Sequence, residues 1–282
     1  MSDTHTETDL RSRSVVLTGA SAGIGYVTAE KLSQRGHRVV AGARRLDRLA
    51  PLAELGVTVL PLDLRDAESI AAFAQAAGET LGEVDCLINN AGFGVYGAIE
   101  DVTPDEAAEQ FEVNVLGPSQ LTGLLLPGMR QRGSGRLIHL GSMGGKTYTP
   151  LGAWYHASKH AIEGWADCLR IEVAPFGIDS VLVAPGAIGT EFCEVAIGPL
   201  VERSAGGPYE RIANRMADTI RKTFDGGFSS PPECVADLLV KLVETNRRPK
   251  PRYAVGRFAR SIIIARRLLG DRLYDRLVHK FM

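Results

Sequence analysis

Ser14-Val15-Val16-Leu17-Thr18-Gly19-Ala20-Ser21-Ala22-Gly23-Ile24-Gly25 opens the regular pattern of this 282-residue chain. A short apolar, β-branched run passes directly into a glycine-rich turn, and a helical pattern starts at Gly23. In a strand–loop–helix unit of this kind, glycines let the backbone turn tightly and approach a diphosphate. The helix N-terminus then faces the phosphate charge. The spacing is G-x-x-x-G-x-G rather than G-x-G-x-x-G.

The same alternation continues outward. Strands are expected at Ser14–Thr18, Arg38–Ala43, Val57–Leu62, Val84–Asn89, Gly135–Gly141, Ile178–Ala184 and Arg252–Val255. The core strands are nearly unbroken apolar runs, which suits parallel strands buried on both faces. Helical patterns lie near 23–35, 66–80, 104–130, 152–174 and 231–246. Two of them carry Ser/Thr, Pro and Glu in capping order: Thr103-Pro104-Asp105-Glu106 and Ser230-Pro231-Pro232-Glu233. Repeated β-α-β units predict one doubly wound parallel α/β sheet of Rossmann type with about seven strands. The polar residues 1–12 are expected to be disordered. Residues 13–256 form one dinucleotide-binding and catalytic domain. Within it, 186–230 is read as a substrate loop region, and 257–282 as a basic amphipathic helical tail.

Composition narrows the function. With 45% hydrophobic and 23% charged residues the chain is globular, and a net charge of −1 gives no overall reason to expect nucleic acid. The four cysteines, Cys86, Cys168, Cys193 and Cys234, are far apart and form no CxxC, so neither a metal site nor a disulfide framework is expected. No secretory leader and no bilayer-spanning run is read. The expected location is cytoplasmic.

Candidate residues collect at the strand ends. Ala41-Gly42-Ala43-Arg44-Arg45 closes the second strand with arginine where a carboxylate would bind a ribose 2′-hydroxyl. Arg44 is suited to stack on adenine and pair a 2′-phosphate, with Ser21 alongside. Asp63 follows the third strand, where it either accepts from the adenine amino group or caps a helix. Asn89-Asn90-Ala91-Gly92 ends the fourth strand. Asn114 sits inside an apolar helical stretch, a poor position for an amide unless it bends the helix or serves the site. Ser142 ends the fifth strand. Tyr155 and Lys159, at i and i+4, share a helix face. A free tyrosine titrates near ~10, and a nearby ammonium would favour its phenolate. Ala184-Pro185-Gly186-Ala187-Ile188-Gly189-Thr190 ends the sixth strand.

These residues, in this order, resemble the short-chain dehydrogenase/reductase family over residues 13–256. The resemblance rests on TGASAGIG, Asp63, NNAG, Asn114, Ser142, YHASK and PGAIGT. It implies interconversion of an alcohol and a carbonyl with a nicotinamide dinucleotide, NADP ahead of NAD. By resemblance, Tyr155 gives or takes the proton and Ser142 positions the carbonyl. Lys159 holds the nicotinamide ribose and lowers the tyrosine pKa. Asn114 supports a water in a proton relay. Gly19, Ser21, Ile24, Arg44, Asp63, Asn90, Tyr155, Lys159, Ile188 and Thr190 would contact the cofactor. The surroundings of Tyr155 resemble the branch holding retinol dehydrogenases, 17β-hydroxysteroid dehydrogenases and 1-acyl-dihydroxyacetone-phosphate reductases, which act on lipophilic substrates. Phe93, Val95, Met143, Leu151 and Trp154 would wall an apolar pocket. NAD in place of NADP is one alternative. A cofactor-binding regulator without turnover is the other.

Two features concern partners. The helix over 152–174 is apolar on more than one face, which predicts a homodimer or homotetramer. From Arg247 to Met282 eleven Lys/Arg face two Asp, so the tail carries +9 and the rest −10. Leu269, Leu273, Leu277 and Phe281 recur every four residues there. The pattern suits either peripheral contact with an anionic membrane or packing on protein.

Overall fold

The computed structural model describes residues 11–225 and 227–281. The expected disordered stretch 1–12 therefore lies almost wholly outside the described residues. Seven parallel strands form one sheet: β1 Ser14–Thr18, β2 Arg38–Ala43, β3 Thr58–Pro61, β4 Cys86–Asn89, β5 Gly135–Leu140, β6 Ile178–Pro185 and β7 Arg252–Val255. Their order is β3-β2-β1-β4-β5-β6-β7. β1 pairs with β2 on one side (Val16 opposite Val40) and with β4 on the other (Val16 opposite Leu87). Strand order reverses at this point, and a crevice opens beyond the strands' C-terminal ends.

Strand alternation builds two cores. Val15, Leu17, Val39, Ile88, Ile138 and Val181 point to one face. It is covered by α1 (Gly23–Gln34), α2 (Ala50–Glu54) and a later helix. Val16, Val40, Leu87 and Leu137 point to the other, beneath Phe73, Leu121, Met129 and Leu169. Those four belong to α3 (Ala67–Leu81), α5 (Gly117–Arg132) and α6 (Ala153–Val173). Each such side chain contributes about 1.5–3 kcal/mol on burial.

The cap at Thr103 forms as expected. The Thr103 hydroxyl accepts from the Glu106 N–H and Glu106 accepts from the Thr103 N–H at 2.9 Å, starting α4 (Pro104–Phe111). One π turn, Glu112–Leu116, joins α4 to α5. The sequence explains it: Pro118 has no N–H to offer the Asn114 carbonyl four residues back. The second expected cap does not form. α9 (Glu233–Glu244) starts after Pro232 without a side-chain cap, and the Ser230 hydroxyl instead accepts from the Arg257 N–H at 2.9 Å. The region 186–230 is largely helical: α7 (Phe192–Ser204) and α8 (Glu210–Asp225) pack as a cap through Leu200, Ala213 and Met216.

The tail forms α10 (Ala259–Phe281), broken at Gly270, whose φ of 65° and ψ of 179° are not helical. The break ends the continuous four-residue stripe. Leu269 is half-buried, Leu273 and Leu277 are exposed, and the Phe281 side chain lies outside the described residues. The anchor is Tyr274, which is 4% exposed. It meets Tyr148 edge-on with centroids 5.1 Å apart, and Arg266 lies over both rings. Tyr274→Ala should lower the unfolding free energy by about 2 kcal/mol, while Tyr274→Phe, which keeps the ring, should cost under about 1 kcal/mol. Denaturant unfolding of the three proteins checks this. Equal midpoints would mean that the tail is not anchored there.

Candidate active site

The glycine loop is shaped by contacts that leave no room for side chains. Gly19 has φ of +73°, and a Cβ there would lie 2.6 Å from the Ala91 Cα. A Cβ on Gly25 would lie 2.2 Å from the Gly19 carbonyl oxygen and 2.5 Å from the Asn90 amide nitrogen. Asn90 ties the loop to β4: its amide donates to the Thr18 and Gly19 carbonyls at 2.9 and 3.1 Å. The Thr18 hydroxyl accepts from the Asn90 and Ala91 N–H groups, both at 3.1 Å. α1 begins at Ala22–Gly23 with no side-chain cap and no acid in its first turn. Its N–H groups are thus left for an anion. Thr190 lies against Gly23, with its methyl 3.0 Å from where a Cβ would be. A narrow backbone cradle with an uncapped helix end fits a dinucleotide diphosphate. Ile24 is half-buried against the first core layer, and Ile188 is a core side chain at 6% exposure. Any cofactor contact by Ile188 must therefore come from its backbone.

At the end of β2, two arginines divide the work expected of one. Arg45, not Arg44, reaches the glycine loop, donating to the Ser21 hydroxyl at 3.3 Å. Arg44 points the other way, 3.9 Å from Glu109. Asp63 is not a helix cap, since Asp66 caps α3. Its carboxylate accepts from the Arg65 guanidinium at 2.6 Å, and that bond holds it below the usual carboxylate range. Glu191, which no motif marks, accepts from Arg48 at 2.8 Å and lies 3.9 Å from Arg45.

The strand ends and α6 bring the expected polar set together. The Ser142 side chain stands beside the Tyr155 hydroxyl, and the Ser142 hydroxyl accepts from the Gly144 N–H at 3.0 Å. Lys159 is buried and donates to the Leu140 carbonyl at 3.0 Å. Asn114, in the π turn, donates to the Phe93 carbonyl and the Ser158 hydroxyl, each at 3.0 Å, and accepts from the Phe93 N–H at 3.1 Å. Its side chain is thus fully engaged. A Cβ on Gly92 would lie 3.1 Å from the Asn114 Oδ1 and 3.4 Å from the Lys159 Nζ. The amide and the ammonium therefore flank one glycine.

The Lys159 ammonium is turned to the Leu140 carbonyl. Burial pushes the phenol up to about 12, against a smaller lowering by Ser142. Burial alone brings Lys159 down to about 8. Desolvation opposes both charges, and no close counter-charge offsets it. Tyr155 accordingly keeps its proton at neutral pH.

The chain's similarities agree with this geometry. Residues 13–196 match the family model for short chain dehydrogenases. The chain belongs to that family. It is 34% identical over 270 residues to the uncharacterized oxidoreductase YbbO of Escherichia coli K12, covering 94% of each chain. It is 32% identical over 272 residues to human 17-beta-hydroxysteroid dehydrogenase type 1, covering 91% of this chain and 81% of that one. A crystal structure of a short-chain dehydrogenase from Streptomyces avermitilis superposes with a TM-score of 0.77 at 32% identity, over 90% of this chain and 91% of that one. As a short-chain dehydrogenase the protein is an oxidoreductase acting between CH–OH and C=O with a nicotinamide dinucleotide. Among the described residues, no group of three His, Cys, Asp or Glu side chains is placed to hold a metal.

The family motifs do not extend to the cleft walls, and here sequence reading missed residues. Tyr96 and Phe192 flank Tyr155, with ring centroids 5.6 and 5.5 Å away. Leu151 packs with Tyr96 under the α7–α8 cap. Phe93 and Val95 serve through their backbones, which Asn114 and Gln110 bind. Met143 is half-buried at the turn that follows Ser142. Trp154 packs edge-on against Phe111 of α4 rather than beside Tyr155. Arg203 of α7 holds the cap, donating to the Tyr96 carbonyl at 2.9 Å and pairing with Glu106. Phe93, Val95, Met143, Leu151 and Trp154 were expected at the pocket, whereas Tyr96, Phe192 and Arg203 had no spacing signal.

Two buried histidines set the acid side of stability. The Thr149 N–H donates to the His156 Nε2 at 3.1 Å, so the proton sits on Nδ1, facing the Gly144 carbonyl at 3.0 Å. This tautomer ties the turn after Ser142 to α6. Burial lowers the His156 pKa and brings that of His139 down to about 3. His139 stays neutral in the fold, His156 is held below its free value, and both protonate near ~6.5 when unfolded. The unfolded state thus binds more protons below that pH, and stability is lost as pH falls. Unfolding free energies at pH 7, 6 and 5 should decline by up to about 1.4 kcal/mol per pH unit for each histidine. A flat profile would contradict the neutral assignment.

Proposed function

We propose that this short-chain dehydrogenase is an NADP(H)-dependent oxidoreductase interconverting a carbonyl and a secondary or primary alcohol. Its substrate is apolar, of lipid, steroid or retinoid-like character. The single observation that carries the reading is the buried Tyr155 hydroxyl, set beside Ser142 and flanked by Tyr96 and Phe192. A protonated phenol in that position is placed to give its proton to a carbonyl oxygen.

The residues divide the work as follows. Ser142 bonds the substrate oxygen and fixes it beside Tyr155. Tyr155 gives its proton to that oxygen as negative charge develops on it. Lys159, held by the Leu140 carbonyl, binds the ribose next to the nicotinamide and offers a replacement proton. The Asn114 carbonyl, without its helical donor because of Pro118, is the acceptor for a water leading outward. The reduced nicotinamide, when bound, supplies the hydride. Gly19, Ser21, Asn90, Thr190 and the α1 N-terminus form its diphosphate cradle. Aromatic walls exclude water and match an apolar substrate.

NADP rather than NAD is supported by the basic end of β2. Arg45 beside Ser21 takes a 2′-phosphate, and Arg44, on the Asp63 side, stacks on the adenine. Exposed Leu116, Leu124 and Ile171 on and beside α5 and α6 support a homodimer or homotetramer. The enzyme works in the cytoplasm and meets lipid at the membrane periphery. Loss of NADPH absorbance over a panel of apolar ketones and aldehydes tests the reading. Turnover of at least one is expected, and NADPH binding without any turnover would leave a binding module. Arg45→Ala should weaken NADPH by about 10- to 100-fold, far more than NADH, since a charge-assisted phosphate contact contributes about 1.5–3 kcal/mol. Arg44→Ala, which removes a contact to the adenine that both cofactors carry, should weaken the two alike. Equal losses for both cofactors in Arg45→Ala would make that arginine structural.

A further inference from the structure

α10 leaves large apolar side chains open on both sides of its break at Gly270: Ile264 and Leu268 before it, and Leu273 and Leu277 after it, are exposed, Leu268 at 78%. Among them stand Arg260, Arg267, Arg272, Arg276 and Lys280, all exposed and none with an acidic partner among the described residues. The two acids of the helix are engaged within the protein. Asp271 pairs with Arg266 at 2.5 Å, and Asp275 accepts from the Tyr148 hydroxyl at 2.9 Å. The helix thus presents large apolar side chains and uncompensated positive charge together.

That combination selects among occupants. A second copy would set this helix, with six Lys/Arg against two Asp, against its own like charge wherever two tails met. A nucleic acid would satisfy the cations and leave the leucines in water. An anionic headgroup layer satisfies both, because it supplies counter-charge at the surface and an apolar boundary just beneath. No described helix is long and apolar enough to cross a membrane, so the contact would be peripheral.

The tail is also fastened beside the catalytic turn. The Tyr274 hydroxyl donates to the Tyr148 carbonyl at 3.4 Å, and its ring meets that of Tyr148 edge-on. Thr149 is held by His156, the neighbour of Tyr155. We propose that α10 is a docking surface for an anionic phospholipid bilayer, fixed through Tyr274 to the segment joining Ser142 and Tyr155. The inference deepens the reading of an apolar substrate, since docking there places the cleft beside a lipid reservoir.

Co-sedimentation of the full-length protein with phosphatidylcholine vesicles, with and without phosphatidylglycerol, tests it. Binding is expected only to the anionic vesicles, and it should weaken as salt is raised. The triple variants L268S/L273S/L277S and R267E/R272E/R276E should each lose at least about tenfold in vesicle affinity. Both should still oxidise NADPH with a water-soluble carbonyl at the parent rate, because these residues lie on the open surface. No binding to anionic vesicles, or equal binding by the variants, overturns the docking surface. So does self-association that the leucine variant abolishes without any vesicle binding, which would make a second copy the occupant. Vesicle binding without carbonyl turnover would keep the surface and remove the enzymatic reading instead.

Discussion

The cleft depends on the junction of β1 and β4, where the Asn90 amide spans the Thr18 and Gly19 carbonyls. The junction fixes the glycine loop against the fourth strand so closely that no Cβ fits at Gly19 or Gly25. The uncapped α1 N-terminus is aimed across the crevice as a result. The sheet order follows the same constraint. Strands run outward in both directions from β1 and β4, so every polar side chain at a strand end on either side faces one gap.

Around that gap the protein buries groups that resist burial. Tyr155, Lys159, Asn114, Ser158 and His156 are all nearly inaccessible. Four of them are held by a specific partner: Lys159 by the Leu140 carbonyl, Asn114 by the Phe93 backbone, Ser158 by the Tyr155 carbonyl and His156 by the Thr149 N–H. Removing any one partner would leave a buried polar group at a cost of about 1–3 kcal/mol. The set is therefore rigid, and its protonation is set by desolvation. The phenol is raised and the ammonium lowered, so proton and hydrogen-bond donors stand ready before a carbonyl arrives.

Much of this was legible in sequence because it repeats with period or motif. Unbroken apolar runs such as VVL and RLIHL marked buried parallel strands, and all seven appear within two residues of their expected bounds. Tyr155 and Lys159 were visible through helical spacing, and Asn114 through its oddness in an apolar helix. The π turn that follows from Pro118 could have been deduced and was not. What stayed hidden was set by three-dimensional choice among similar residues. Arg44 and Arg45 are adjacent, and only the loop conformation decides which one meets Ser21. Ser230 has capping chemistry, yet Arg257 takes its hydroxyl. Phe192, Tyr96 and Arg203 lie far apart in sequence and meet only through the cap. The four-residue stripe of the tail was real as a pattern, but Gly270 breaks the helix beneath it.

One buried phenol, Tyr155, supplies the proton in this reaction. The most direct measurement is turnover of Tyr155→Phe with NADPH and an accepted carbonyl, beside NADPH binding by the same protein. The ring is retained, so packing against Tyr96 and Phe192 should persist. Turnover should fall by at least 10²–10⁴-fold while NADPH binding stays within about threefold of the parent. Near-parental turnover in Tyr155→Phe would contradict the assignment of the proton to Tyr155.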